Sequence, residues 1–123
     1  METITHPTVL FVDDDNLIRE LSTEIMTELK YNCLAAASGR EAIAIYKEKW
    51  QSINFVILDM MMPEMTGDMV LEELIKINPD VKAIFCTGYA PDELKTKVRT
   101  HSCEILDKPT DFDVLNDKLR MML

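Results

Sequence analysis

Asn54-Phe55-Val56-Ile57-Leu58-Asp59-Met60-Met61-Met62-Pro63-Glu64-Met65-Thr66-Gly67 is the stretch that decides the fold. Four apolar residues, Phe55 to Leu58, run straight into an acid. The run is too short for a stable helix and suits a strand buried on both faces. A carboxylate at the C-terminal end of such a strand sits where open α/β sheets bind ligands. Taken alone, Asp59 reads equally well as a residue that merely opens a loop. The rest of the chain decides between the two.

Working outward, the same pattern recurs. Val9-Leu10-Phe11-Val12 is a second apolar run and ends in Asp13, Asp14 and Asp15. Asp15 or Asn16 can cap the helix that follows, whose expected apolar face is Ile18, Leu21, Ile25 and Leu29. Cys33 to Ala37 reads as a strand, with three alanines that fit a helix equally well. Ser38-Gly39 turns the chain into a helix carrying Ala42, Ile43 and Tyr46 and stopping near Trp50. After Gly67, Val70, Leu71, Leu74, Ile75 and Ile77 mark a further helix, closed by Asn78-Pro79.

Val81 to Thr87 is an apolar run ending in a hydroxyl. A Gly88–Pro91 loop and a short, weakly amphipathic helix from Asp92 to Arg99 follow. Glu104 to Asp107 is the last strand, then Lys108-Pro109. Asp111 caps a final helix with Phe112, Leu115, Leu119 and Met122 on one face. Five strands alternate with five helices, which implies a parallel sheet covered on both faces.

The bulk composition bounds what such a chain does. It is 123 residues long and 47% apolar, an ordinary globular content, and one domain over residues 1–123 with a short lead at 1–7 is expected. With 22 acidic against 13 basic residues the net charge is −9, which argues against binding nucleic acid and suits a cationic ligand or simple solvation. Cys33, Cys86 and Cys103 have neither metal-ligand spacing nor an even count, which fits a reducing compartment. The N-terminal residues lack signal-peptide character, and no apolar run approaches the ~20 residues that span a bilayer. A cytoplasmic location, away from membranes, is expected.

A parallel sheet gathers its strand ends at one edge. Here they carry Asp13, Asp14, Asp15, Asp59, Thr87 and Lys108. Crowded carboxylates repel one another unless a cation sits between them. Hard oxygen ligands without His or Cys suit Mg²⁺. Lys108 offers a point charge to a phosphate oxygen or an ion pair, and Thr87 a hydroxyl donor. A carboxylate in that company is the setting for an aspartyl phosphate. Singly, each residue has an unremarkable reading as a cap, a surface lysine or a strand-end hydroxyl; the convergence of four strand ends makes the case for a site.

Val9 to Asp15, Phe55 to Gly67, Thr87-Gly88 and Lys108-Pro109 together resemble the response-regulator receiver domain of two-component signalling. The resemblance spans about Val9 to Leu123. It implies a flavodoxin-like (βα)5 doubly wound fold with strand order 2-1-3-4-5 and a phosphorelay function. Asp59 would accept a phosphoryl group from a sensor histidine kinase or a histidine phosphotransfer protein. Asp14, Asp59 and the Met61 main-chain carbonyl would bind Mg²⁺ directly, and Asp13 largely through water. Thr87 and Lys108 would engage the phosphoryl oxygens, and the Lys108–Pro109 bond would be cis. Gly88 would leave room beside Thr87. Met61 and Tyr89 would flank the site, and neither is an obvious group to orient an attacking water, so a phosphoryl group that is not unusually short-lived is expected. The family's aromatic switch position, three residues before the lysine, is Ile105 here, which cannot carry a ring flip.

Two other readings compete. Asp13 and Asp15 fit the Asp-x-Asp pattern of haloacid-dehalogenase-like phosphatases, yet Leu17 stands where that family has Thr or Val, and no paired acid is expected at a strand end after Lys108. A phosphorylation-independent adaptor is the third, and it gives no physical reason to crowd carboxylates together. The expected role is therefore a signalling module and not an enzyme acting on a separate substrate. A weak homodimer through residues 81–123 is compatible with the sequence and not demanded by it.

Overall fold

The computed structural model describes residues 6–88, 91, 92, 94–96 and 103–123. Ten elements lie in it: β1 (Thr8–Val12), α1 (Asn16–Glu28), β2 (Asn32–Ala36), α2 (Gly39–Lys49), a 3-10 turn (Trp50–Ser52), β3 (Phe55–Leu58), α3 (Gly67–Ile77), β4 (Ala83–Thr87), β5 (Cys103–Asp107) and α4 (Phe112–Met122). All strand pairs are parallel, in the order β2-β1-β3-β4-β5. The flavodoxin-like order implied by the sequence is the order observed. The alanine-rich segment is a strand, β2, at the edge of the sheet. Asp92 and residues 94–96 are helical. The rest of the expected Asp92–Arg99 helix, with Tyr89 and Thr100 to Ser102, lies outside the described residues.

Strand alternation sorts the core into two layers. Leu10, Val12, Val56, Leu58, Ala83 and Phe85 point to one face, where they pack with Ala42, Tyr46, Val70, Leu71 and Leu74 of α2 and α3. Val9, Phe11, Phe55, Ile57, Ile84 and Cys86 point to the other, against Met26 of α1 and Leu115 and Leu119 of α4. Both faces of the central strands are therefore dry, which is why β1 and β3 read as unbroken apolar runs.

The helices start where their caps allow. Asp15, not Asn16, caps α1, its Oδ1 accepting from the amides of Leu17 at 2.9 Å and Ile18 at 3.2 Å. Ser38 Oγ accepts from Glu41 N, and Asp111 Oδ1 from Asp113 N and Val114 N. One expectation is corrected. The expected apolar face of α1 included Leu21, which is 52% exposed, whereas the buried residues of the helix are Ser22 and Met26. The helix is rotated so that the Ile18–Ser22–Met26 row meets the sheet. Small Ser22 permits the close approach, and Leu21 is left beside the Lys108–Pro109 turn.

Gly67 opens α3 where the chain doubles back beneath β3. Its amide donates to the Met60 carbonyl at 2.9 Å, and a Cβ at this position would stand 2.3 Å from the main-chain oxygen of Asp59. A Cβ at Gly88 would meet nothing within 4 Å. Gly67→Ala should therefore cost about 1–3 kcal/mol in urea unfolding, by overpacking against rigid backbone. Gly88→Ala should stay within about 0.5 kcal/mol of the native chain. Equal losses at the two positions would contradict this account of the turn.

Candidate functional site

Register fixes the composition of the sheet's C-terminal edge. Val12 lies opposite Leu58, and Leu58 opposite Phe85. The next residues, Asp13 and Asp59, thus emerge side by side, with Thr87 ending the strand beyond. Lys108 follows β5, and its amide donates to the Thr87 carbonyl at 3.1 Å. The Lys108–Pro109 bond is cis, as the sequence led one to expect.

The side chains converge. Lys108 Nζ donates to Asp13 Oδ2 at 2.8 Å and to Asp59 Oδ2 at 3.0 Å. The two carboxylate side chains are only 2% and 9% exposed, so neither is neutralised by bulk water and the ammonium is their counter-charge. Partial burial pulls the Lys108 pKa down, but its hydrogen bonds and charge contacts with Asp13 and Asp59 outweigh that. Its pKa stands above the ordinary lysine value, and the ammonium stays charged at neutral pH. The remaining oxygens are also held. Asp13 Oδ1 accepts from Asp15 N at 2.9 Å, and Asp59 Oδ1 from Met61 N at 3.2 Å.

Asp14 joins from the exposed side. One carboxylate oxygen from each of Asp13, Asp14 and Asp59 lies within 4.8 Å of the others. The set is all oxygen and carries three negative charges against one lysine. That donor chemistry fits a hard divalent cation such as Mg²⁺. Thr87 ends β4 at the same edge and is 1% exposed. Met60 and Met62 turn inward while Met61 is 56% exposed at the rim. Tyr89, expected to flank the site, lies outside the described residues.

Asp15 takes no part in this cluster: it is exposed, and its carboxylate is engaged as the α1 cap. The phosphatase reading needs that residue as an acid/base next to Asp13, and the cap removes it. Ile105 pairs with Phe85 in register and is half-buried against the layer formed with α2 and α3. Burial pushes the thiol of Cys86, directly beneath the site, up to about 11, so it is an inert core group at neutral pH.

A shallow cavity of about 170 Å³ adjoins Lys108, lined by Ile18, Leu21, Ser22, Pro109, Thr110 and Phe112. Another of about 240 Å³, between Trp50, Asn54, Asn78 and Lys82, opens at the opposite edge of the sheet, away from the carboxylates. The sequence reading missed Arg19, whose long charged side chain would ordinarily extend from α1 into water. Its guanidinium instead reaches back to the Asp13 main-chain carbonyl at 2.8 Å.

Comparison with known proteins agrees with this geometry. Residues 9–120 match the family described as the response regulator receiver domain. The chain is 41% identical over 117 residues to the sensor kinase CckA of Brucella abortus, covering 94% of this chain but 12% of that kinase. A response regulator receiver domain protein from Clostridium thermocellum superimposes with a TM-score of 0.89 at 28% identity, over 94% of this chain and 93% of that one. A CheX–CheY–BeF3–Mg²⁺ complex from Borrelia burgdorferi matches with a TM-score of 0.84 at 27% identity, over 95% and 90% of the two chains.

A divalent cation held by this cluster would compete with Lys108 for the same carboxylates. Removing one unit charge about 4 Å from a divalent ion is worth about 2 kcal/mol even at high dielectric. Lys108→Met should thus bind Mg²⁺ roughly thirtyfold more tightly and gain more in Tm from saturating Mg²⁺ than the native chain does. A smaller gain in the variant would contradict the placement of Lys108 between the two carboxylates.

Proposed function

The chain belongs to the response regulator receiver domain family, and from that premise we propose that Asp59 takes up the phosphoryl group from a phosphohistidine donor. It is a signalling module of two-component systems. The observation that carries the assignment to Asp59 is the Lys108 ammonium bonded at once to Asp59 and Asp13 in a nearly dry pocket.

The chemistry follows from these positions. Asp59 supplies the nucleophilic oxygen. The new P–O bond forms as the P–N bond to the donor imidazole breaks, and that bonding pair returns to the ring nitrogen. Lys108 is released from Asp59 Oδ2 to pair with a phosphoryl oxygen, and the Thr87 hydroxyl donates to another. Asp13, Asp14 and Asp59, with the Met61 main-chain carbonyl, are the ligands assigned to Mg²⁺. When bound, the ion supplies charge neutralisation for the phosphoryl oxygens. Support comes from the clustered acids and from the related Borrelia burgdorferi complex, which contains BeF3 and Mg²⁺. The domain's own residues carry out uptake and loss, so no separate substrate is turned over.

The donor we assign is a sensor histidine kinase or a histidine phosphotransfer protein. A protein donor must cover the rim of the pocket to reach Asp59. Exposed Met61, two residues from Asp59, and exposed Leu21, beside Lys108, offer apolar surface there, and Leu17 is exposed on the same helix as Leu21. Among the described residues no helix is long and apolar enough to cross a membrane, and we place the domain in the cytoplasm, where kinases hold ATP. We read residues 1–123 as a single receiver domain. Ile105 at the usual aromatic position cannot itself supply a rotating ring to the switch.

Incubation with acetyl phosphate and Mg²⁺ should add one labile phosphoryl group, a gain of ~80 Da by intact mass, as expected of an acyl phosphate. Asp59→Asn should gain nothing. Gain on both would move the acceptor to another carboxylate. With exposed Met61 offering no base to orient water, the phosphoryl group should not be unusually short-lived; loss within seconds at neutral pH would refute that reading of the rim.

A further inference from the structure

Asp13 is held at its amide and at both carboxylate oxygens. Its amide donates to the Ala36 carbonyl at 3.2 Å, Oδ1 accepts from Asp15 N, and Oδ2 accepts from Lys108. Its own carbonyl is the exception to the sheet's logic. β1, β2 and β3 all run out at the level of Val12, Ala36 and Leu58. Among the described residues no strand amide remains to meet the Asp13 oxygen, and the residue is 2% exposed. A buried carbonyl without a partner is costly. Arg19, from the second turn of α1, supplies the donor at 2.8 Å through Nη1, while Nη2 donates to Asn16 Oδ1 at 3.0 Å.

We infer that Arg19 is a positioning residue for the cation site: its forked guanidinium clamps the acidic β1–α1 loop so that Asp13 and Asp14 are fixed before the cation arrives. The inference rests on the Mg²⁺ assignment above. Only Asp13, Asp14 and Asp15 separate the strand from the helix, so the two arms of Arg19 span the whole loop. The guanidinium bonds a carbonyl and an amide oxygen. It leaves the carboxylates themselves to Lys108 and the cation.

The sign of the effect tests the idea. A cation near the site opposes Mg²⁺ by simple Coulomb repulsion, so deleting Arg19 for its charge alone would tighten Mg²⁺ binding. Deleting a clamp loosens it. By isothermal titration with Mg²⁺ alone, on chains folded at the same temperature, Arg19→Met should bind about tenfold more weakly, the usual cost of losing a group that orients metal ligands. Arg19→Lys keeps the charge but cannot bridge both oxygens. It should fall between, roughly threefold weaker than native.

A dissociation constant for Arg19→Met equal to or tighter than native, with only Tm reduced, overturns the proposal. Should Arg19→Met fail to fold, Arg19→Lys carries the test alone, and native affinity in that variant overturns it. If the native chain itself takes up no Mg²⁺, the cation assignment has failed and the role of Arg19 with it.

Discussion

One ammonium between two buried carboxylates governs this domain. Lys108 must arrive from β5 while Asp13 and Asp59 arrive from β1 and β3, and each comes from the end of its strand. A one-residue slip in any strand would turn these side chains to the wrong face and leave a charge buried alone. The register of the sheet and the charge balance of the site are therefore the same constraint seen at two scales.

The apolar strands make that arrangement affordable in free energy. With both faces of β1, β3 and β4 covered, the sheet is rigid up to its last apolar residue, and polarity begins abruptly at its edge. Asp13 and Asp59 thus sit half in the core and half at a rim open to a ligand. The surrounding pieces are fixed by local chemistry. Asp15 starts α1, Gly67 lets the chain turn under Asp59, and Arg19 closes the β1–α1 loop from behind. Exposed Met61, Leu17 and Leu21 add apolar surface beside an acidic pocket.

Much of this was legible in the residues. Runs such as Val9–Val12 and Phe55–Leu58 announce two-sided burial, and their terminal acids announce the edge where they meet. β2 was ambiguous because its alanines favour a helix and are poor strand formers; only pairing with β1 makes it a strand. The rotation of α1 was not legible. Ile18 fits both possible faces, and whether Leu21 or Ser22 points inward is decided by how closely the helix approaches the sheet. Arg19 left no signal either. An arginine on a polar helix face looks the same whether it extends into water or folds back onto an unpartnered carbonyl.

The measurement that bears most directly on this account is an amide NMR titration of the native chain with Mg²⁺ and beryllofluoride, a phosphoryl mimic. Saturable shifts should centre on Asp13, Asp14, Asp59, Met61, Thr87 and Lys108, and should vanish in Asp59→Asn. A response centred on another part of the surface, or none with Mg²⁺ present, would contradict the claim that these strand ends form a phosphoryl-accepting site.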